Sequence, residues 1–117
     1  MPSLIMVREI AWVRAAKKDF QKFPEAVQRR VVRALRIAAQ GELAEISKPI
    51  KGLDPGLFEV RVAYRSDAFR TIYAVKLGQA LYVLHAFQKK SKQGISTPKQ
   101  EMDVVRSRLR HLKDLLR

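Results

Sequence analysis

The stretch that most constrains the fold runs from Leu57 to Lys90, LFEVRVAYRSDAFRTIYAVKLGQALYVLHAFQKK. Three alternating runs lie in it, Leu57–Tyr64, Phe69–Leu77 and Ala80–Phe87, separated by Arg65-Ser66-Asp67-Ala68 and by Gly78-Gln79. A connection of two to four residues turns a chain straight back, whereas a parallel crossover needs about a dozen or more. The runs therefore predict an antiparallel meander. Successive side chains of a strand point to opposite faces. Phe58, Val60, Val62 and Tyr64 then share one face of the first run, and Glu59 and Arg61 the other. In the second, Phe69, Thr71, Tyr73, Val75 and Leu77 separate from Arg70, Ile72, Ala74 and Lys76. In the third, Leu81, Val83, His85 and Phe87 separate from Ala80, Tyr82, Leu84 and Ala86.

The flanks read as helices with short connectors. Leu4 to Ile10 has the length of an edge strand. Trp12, Ala16, Phe20 and Phe23 recur at helical spacing, and Pro24 ends that helix and opens the next. In the second helix Val27, Val31, Ala34, Leu35 and Ala38 form the apolar stripe. Arg29, Arg33 and Arg36 line another face, and Gly41 is the stop signal. Those arginines read first as a solvated face and second as a phosphate-contacting flank. Glu42 to Gly56, with two prolines and two glycines, reads as a connector. After a polar, basic stretch from Gln88 to Ser96, Thr97-Pro98-Lys99-Gln100 has the form of a capping box. A final helix follows, with Met102, Val105, Leu109, Leu112 and Leu116 opposite Arg106, Arg110, Lys113 and Arg117. The 117 residues show no repeat and no boundary, so residues 1–117 read as one domain.

Charge narrows the partners. Twenty-four Lys and Arg against eleven Asp and Glu leave a formal +13, which fits a polyanion, nucleic acid above all. With no cysteine and two histidines, His85 and His111, nothing is spaced to hold a metal, and no cofactor is expected. No apolar stretch approaches the ~20 residues of a membrane helix, and the N-terminal residues do not read as a secretion signal. The expected location is the cytoplasm, with no membrane partner.

RNA cleavage by its own 2′-hydroxyl needs a group to take the 2′ proton, charge for the phosphoryl oxygens, and a proton for the departing 5′-oxygen. Arginine suits the second task, being permanently charged and able to grip phosphate with two donors. Arg61 and Arg70 are the candidates. His85 titrates near neutrality when unperturbed and is the candidate acid or base. Lys51, Lys89 and Lys90 can hold the backbone, and a lysine crowded by other cations can act as base. Lys48, Lys92 and Lys99 extend the basic surface. Phe87, like Tyr64, Tyr73 and Tyr82, offers a ring for base stacking, although strand spacing makes most such rings core. The plainer alternatives are ion pairs of Arg61 with Glu59 and of Arg70 with Asp67, and a packing role for His85. On chemistry alone the chain is a basic α+β domain.

Five segments in order carry a resemblance: Lys48-Pro49-Ile50-Lys51-Gly52-Leu53, Leu57-Phe58-Glu59-Val60-Arg61, Phe69-Arg70-Thr71-Ile72-Tyr73, Val83 through Lys90, and Thr97-Pro98-Lys99. Together they resemble the phage-derived, HigB-like branch of the RelE/ParE superfamily of type II toxin–antitoxin toxins. The resemblance implies an α+β microbial-RNase fold, with two N-terminal helices on an antiparallel sheet of about four strands and a C-terminal helix. It implies a ribosome-dependent mRNA interferase that cuts message without metal. It also implies a HigA-like helix-turn-helix antitoxin, through which alone the toxin reaches operator DNA. Lys51, Arg61 and Arg70 match the family's basic positions on the sheet, and His85, Lys89 and Lys90 its basic cluster after the last strand. The tyrosine or Asp-Tyr-His groups that other superfamily members carry near the C-terminus are replaced here by Arg108-Leu109-Arg110-His111-Leu112, so the resemblance names no general base. The superfamily also contains ParE-like gyrase inhibitors. That reading and a non-catalytic basic nucleic-acid-binding module are the alternatives.

Overall fold

The computed structural model describes residues 7–53, 56–89 and 97–117. The elements in chain order are β1 (Ile10–Trp12), α1 (Arg14–Phe20), α2 (Glu25–Ala39), β2 (Ser47–Pro49), β3 (Leu57–Tyr64), β4 (Asp67–Ala74), β5 (Leu81–Lys89) and α3 (Lys99–Leu115). They form an α+β fold around one five-stranded sheet of order β1-β5-β4-β3-β2. β1 is parallel to β5, and every other neighbour pair is antiparallel. The expected meander is present, with two short strands added at its edges. The strand expected over Leu4 to Ile10 begins at Ile10 among the described residues, and residues 4–6 lie outside them. The connector expected over Glu42 to Gly56 contains β2, whose three residues are too few to show a period and whose proline suits an edge position.

β3 has the bounds read from the sequence, and the β3–β4 turn is tighter than expected. Tyr64 pairs with Asp67, so Arg65 and Ser66 alone make the turn, at φ 50° and 71°. Two positive φ values are the signature of a hairpin turn matched to strand twist, a place usually taken by Asn-Gly. The Arg65 guanidinium lies over the Tyr64 ring at 5.1 Å. β5 departs most from the sequence reading. Ile72 pairs with His85 and Tyr73 with Val83, so Leu84 is an extra residue opposite the β4 ladder. Such a bulge shifts the phase of alternation. Leu81, Val83 and Ala86 belong to one core, whereas Leu84 and Phe87 belong to the other.

Helices cover both faces of the sheet. On one, Phe20, Phe23, Val27, Val31, Leu35 and Ala38 from α1, α2 and the turn between them pack on Val60, Val62, Phe69, Tyr73, Leu81 and Val83. The whole apolar stripe read for α2 is buried. Gly41, at φ +90°, follows the helix end as expected of a stop. On the other face α3 lays Val105 and Leu109 on Leu57, Ile72, Leu84 and Phe87. Burying a side chain of this size contributes about 1.5–3 kcal/mol, so the smaller core is sufficient to hold α3 across the sheet. Leu115 and Leu116 at its end are exposed. The capping box expected at Thr97 does not form: Pro98 is the N-cap and makes no side-chain cap bond. The Thr97 hydroxyl is used elsewhere.

Candidate functional site

The face of the sheet beneath α3 carries the charged side chains. Arg61 on β3 pairs in register with Arg70 on β4, and Arg70 with Phe87 on β5. Like charges directly opposite one another repel, so this pairing requires an anion. Glu59, two residues before Arg61 and therefore on the same face, supplies it. Its Oε1 accepts from Arg61 Nε at 2.6 Å and lies 3.5 Å from Arg70 Nη1. Its Oε2 accepts from the Thr97 hydroxyl at 2.7 Å. The two longer contacts of Arg70, to Glu59 and to Thr97 Oγ1 at 3.5 Å, are mainly electrostatic at that distance. Glu59 is 1 % exposed and Arg70 4 %, whereas the Arg61 side chain is 36 % exposed. Arg61 is thus the outer member of the cluster.

Lys89 completes the group. Opposite Ala68 at the end of β5, it is buried. Burial first, and then Arg70, pull its ammonium below the usual lysine value, with Glu59 opposing and Arg61 adding to the fall. Burial also lowers the Arg70 guanidinium, against Glu59 and with Arg61. The bulge brings Lys89 to these partners. Unbroken alternation from Leu81 puts residue 89 on the α1/α2 face, and the extra residue at Leu84 returns it to the α3 face.

His85 is on the same face and is fully engaged. Its Nε2 is 2.8 Å from Glu101 Oε1, and its Nδ1 is 3.0 Å from Arg108 Nη1. Arginine only donates, so Nδ1 accepts and Nε2 carries the proton toward Glu101. Arg108 also donates to the Leu84 carbonyl at 3.0 Å. His85 therefore ties β5 to α3, the packing role that is its plainer alternative. Phe87 is buried in the α3 core and stacks on His85 at 5.2 Å. Tyr73 lies in the α1/α2 core, its phenol pushed up by burial.

Of the lysines expected to hold RNA, Lys48 pairs with Glu59 in register and is exposed on the same face. Lys51, in the loop after β2, and Lys99, at the start of α3, are also exposed. Lys90 and Lys92 lie outside the described residues. Arg70 meets Glu59, and Asp67 accepts from Gln88 Nε2 at 2.6 Å. Four site residues were not singled out from sequence: Glu59 as the shared anion, Thr97, Glu101 and Arg108. The signal for the last two was their seven-residue spacing, which places both on the helix face that carries Val105. Among the described residues no group of three His, Asp or Glu could hold a metal ion. No helix among them is long and apolar enough to cross a membrane.

A five-stranded, mostly antiparallel sheet with two helices on one face and a third on the other has the RelE toxin fold. An Escherichia coli RelE mutant in the free state superposes with TM-score 0.66 at 16 % identity, over 89 % of this chain and 99 % of that one. The isolated E. coli RelE toxin gives 0.53 at 17 %, over 86 % and 97 %. The RelBE2 toxin–antitoxin complex of Mycobacterium tuberculosis gives 0.50 at 18 %, over 77 % and 99 %. The chain itself belongs to the phage-derived Gp49-like family, whose model matches residues 18–110. No curated protein sequence matches it.

Proposed function

We propose that the chain is the toxin of a type II toxin–antitoxin pair and acts as a ribosome-dependent mRNA interferase. One observation carries the reading: Arg61, Arg70 and Lys89 converge on a single sheet face around Glu59. In the proposed reaction the 2′-oxygen attacks the adjacent phosphorus and the bond from phosphorus to the 5′-oxygen breaks. The products are a 2′,3′-cyclic phosphate and a 5′-hydroxyl. Arg61 and Arg70 stabilise the charge that grows on the phosphoryl oxygens. Water takes the 2′ proton and water protonates the departing oxygen, while Lys89, buried beside Arg70, adds to the positive field of the site. Lys48, Lys51 and Lys99 hold the message backbone beside the cluster. The proposed partner is a HigA-like helix-turn-helix antitoxin that masks the toxin and carries it to operator DNA, and the place of action is the cytoplasm. The sequence resemblance and the similarity of fold to a chain from a toxin–antitoxin complex support this pairing.

Mapping mRNA 5′ ends after controlled expression tests the reading. The wild type gives new ends in codon register, and these vanish in Arg70→Ala and in the more exposed Arg61→Ala. Full cleavage by both variants refutes the site. Growth arrest with intact messages refutes the ribonuclease and favours gyrase as target.

A further inference from the structure

We propose that Glu59 is a positioning residue for this cleavage: it grips Arg61 by Nε and leaves the outer edge of that guanidinium for the scissile phosphate. The inference rests on the ribonuclease reading above. Neutralising the two arginines explains why an anion is here, but not why the ion cluster is kept. An ionised group 1 % exposed carries a desolvation penalty, and replacing buried ion clusters by apolar residues is often neutral or stabilising. The geometry does account for it. Arg61 Nε is bound at 2.6 Å, which leaves the two terminal nitrogens as an end-on fork, and about a third of the side chain faces solvent. Without the carboxylate, repulsion from Arg70 across the ladder would swing this long side chain outward. Thr97 holds the second oxygen at 2.7 Å, so the carboxylate cannot turn away. The fork is thus set before substrate arrives, which is how a site avoids ordering a flexible side chain during the reaction.

The sign of the charge gives the proposal a signature. A carboxylate near the phosphate opposes the binding of a polyanion while it promotes the chemistry. Glu59→Gln, nearly isosteric, is expected to bind programmed ribosomes about two- to fivefold more tightly at low salt. The same variant is expected to cut about 10- to 100-fold more slowly. Binding is read with a message carrying a 2′-deoxy A-site codon, and cutting with the normal message in single turnover. A structural role alone lowers both together, and that result, or an unchanged cleavage rate, overturns the proposal. Arg61→Lys provides a second test with Glu59 intact: it is expected to be as slow as Glu59→Gln, and the double variant no slower than either. Multiplying losses would show that Glu59 does not act through Arg61. A third arm is independent of cleavage. The Arg61 Nε–H proton is expected to exchange slowly in the wild type, and fast exchange overturns the grip even if the ribonuclease stands. A wild type that leaves message intact refutes the ribonuclease and the positioning role with it, whatever the proton exchange shows.

Discussion

Arg108 offers a direct test of how the bulge in β5 is held. A bulge leaves one residue without a regular ladder partner, and Arg108 donates to the carbonyl of that residue, Leu84, and to His85 Nδ1, both at 3.0 Å. Arg108→Met keeps most of the apolar stem and removes both donors. A net hydrogen bond contributes about 0.5–1.5 kcal/mol, and a buried acceptor left unsatisfied costs about 1–3 kcal/mol. The loss is therefore about 2–4 kcal/mol, against a total stability of about 5–15 kcal/mol for a domain of this kind. With an unfolding entropy of about 2.1 cal/mol/K per residue, 117 residues convert 1 kcal/mol into about 4 °C, so Tm falls by about 8–16 °C. Arg106→Met on the exposed side of α3, where the arginine only pairs with Asp103, is the control and stays within about 2 °C. Nitrogen NMR of the His85 ring reads the same contact: the wild type carries its proton on Nε2, and Arg108→Met lets Nδ1 protonation compete. A Tm shift no larger than the control, or a wild-type ring protonated on Nδ1, refutes the reasoning.

Lys89 makes stability depend on pH in a defined direction. Burial and Arg70 lower its folded value, so the unfolded chain binds more protons between that value and the usual 10.5, and stability rises with pH across that window. Urea midpoints followed upward from neutral pH should show the rise in the wild type and lose it in Lys89→Met; parallel curves would refute the buried charge. On α2, Arg33 and Arg36 are exposed on the side away from the sheet. Arg33→Gln with Arg36→Gln should leave Tm within about 2 °C and reduce the slope of log K against log salt for RNA by about 0.7–0.9 for each phosphate that is no longer neutralised. An unchanged slope would assign these arginines to a plain solvated face.

Most of the fold was legible because local pattern and final packing agree. The α2 stripe repeats with a helical period that no tertiary contact needed to correct, and β3 alternates without interruption from Leu57 to Tyr64. That regularity is also why Arg61 and Arg70 could be assigned to one face. β2 was hidden for the opposite reason, since three residues ending in proline have no period and become a strand only because β3 offers them an edge.

The remaining misreadings share a cause in pairing across the sheet. Nothing in Ala80–Phe87 distinguishes a straight strand from one with an extra residue, because a bulge is defined by the neighbour it fails to match. Strict alternation groups His85 and Phe87 with Leu81 and Val83, under α1 and α2. The extra residue at Leu84 moves them, and Lys89 with them, to the face that carries Glu59 and Arg70. Thr97 was misread in the same way. Its sequence context is that of a helix cap, yet a buried carboxylate is a more demanding acceptor than a solvated helix end, so the hydroxyl goes to Glu59. The basic residues were visible one by one from their types and spacing. Their assembly into one cluster depends on a one-residue slip in β5 and on an acid whose importance shows only when both arginines are seen to share it.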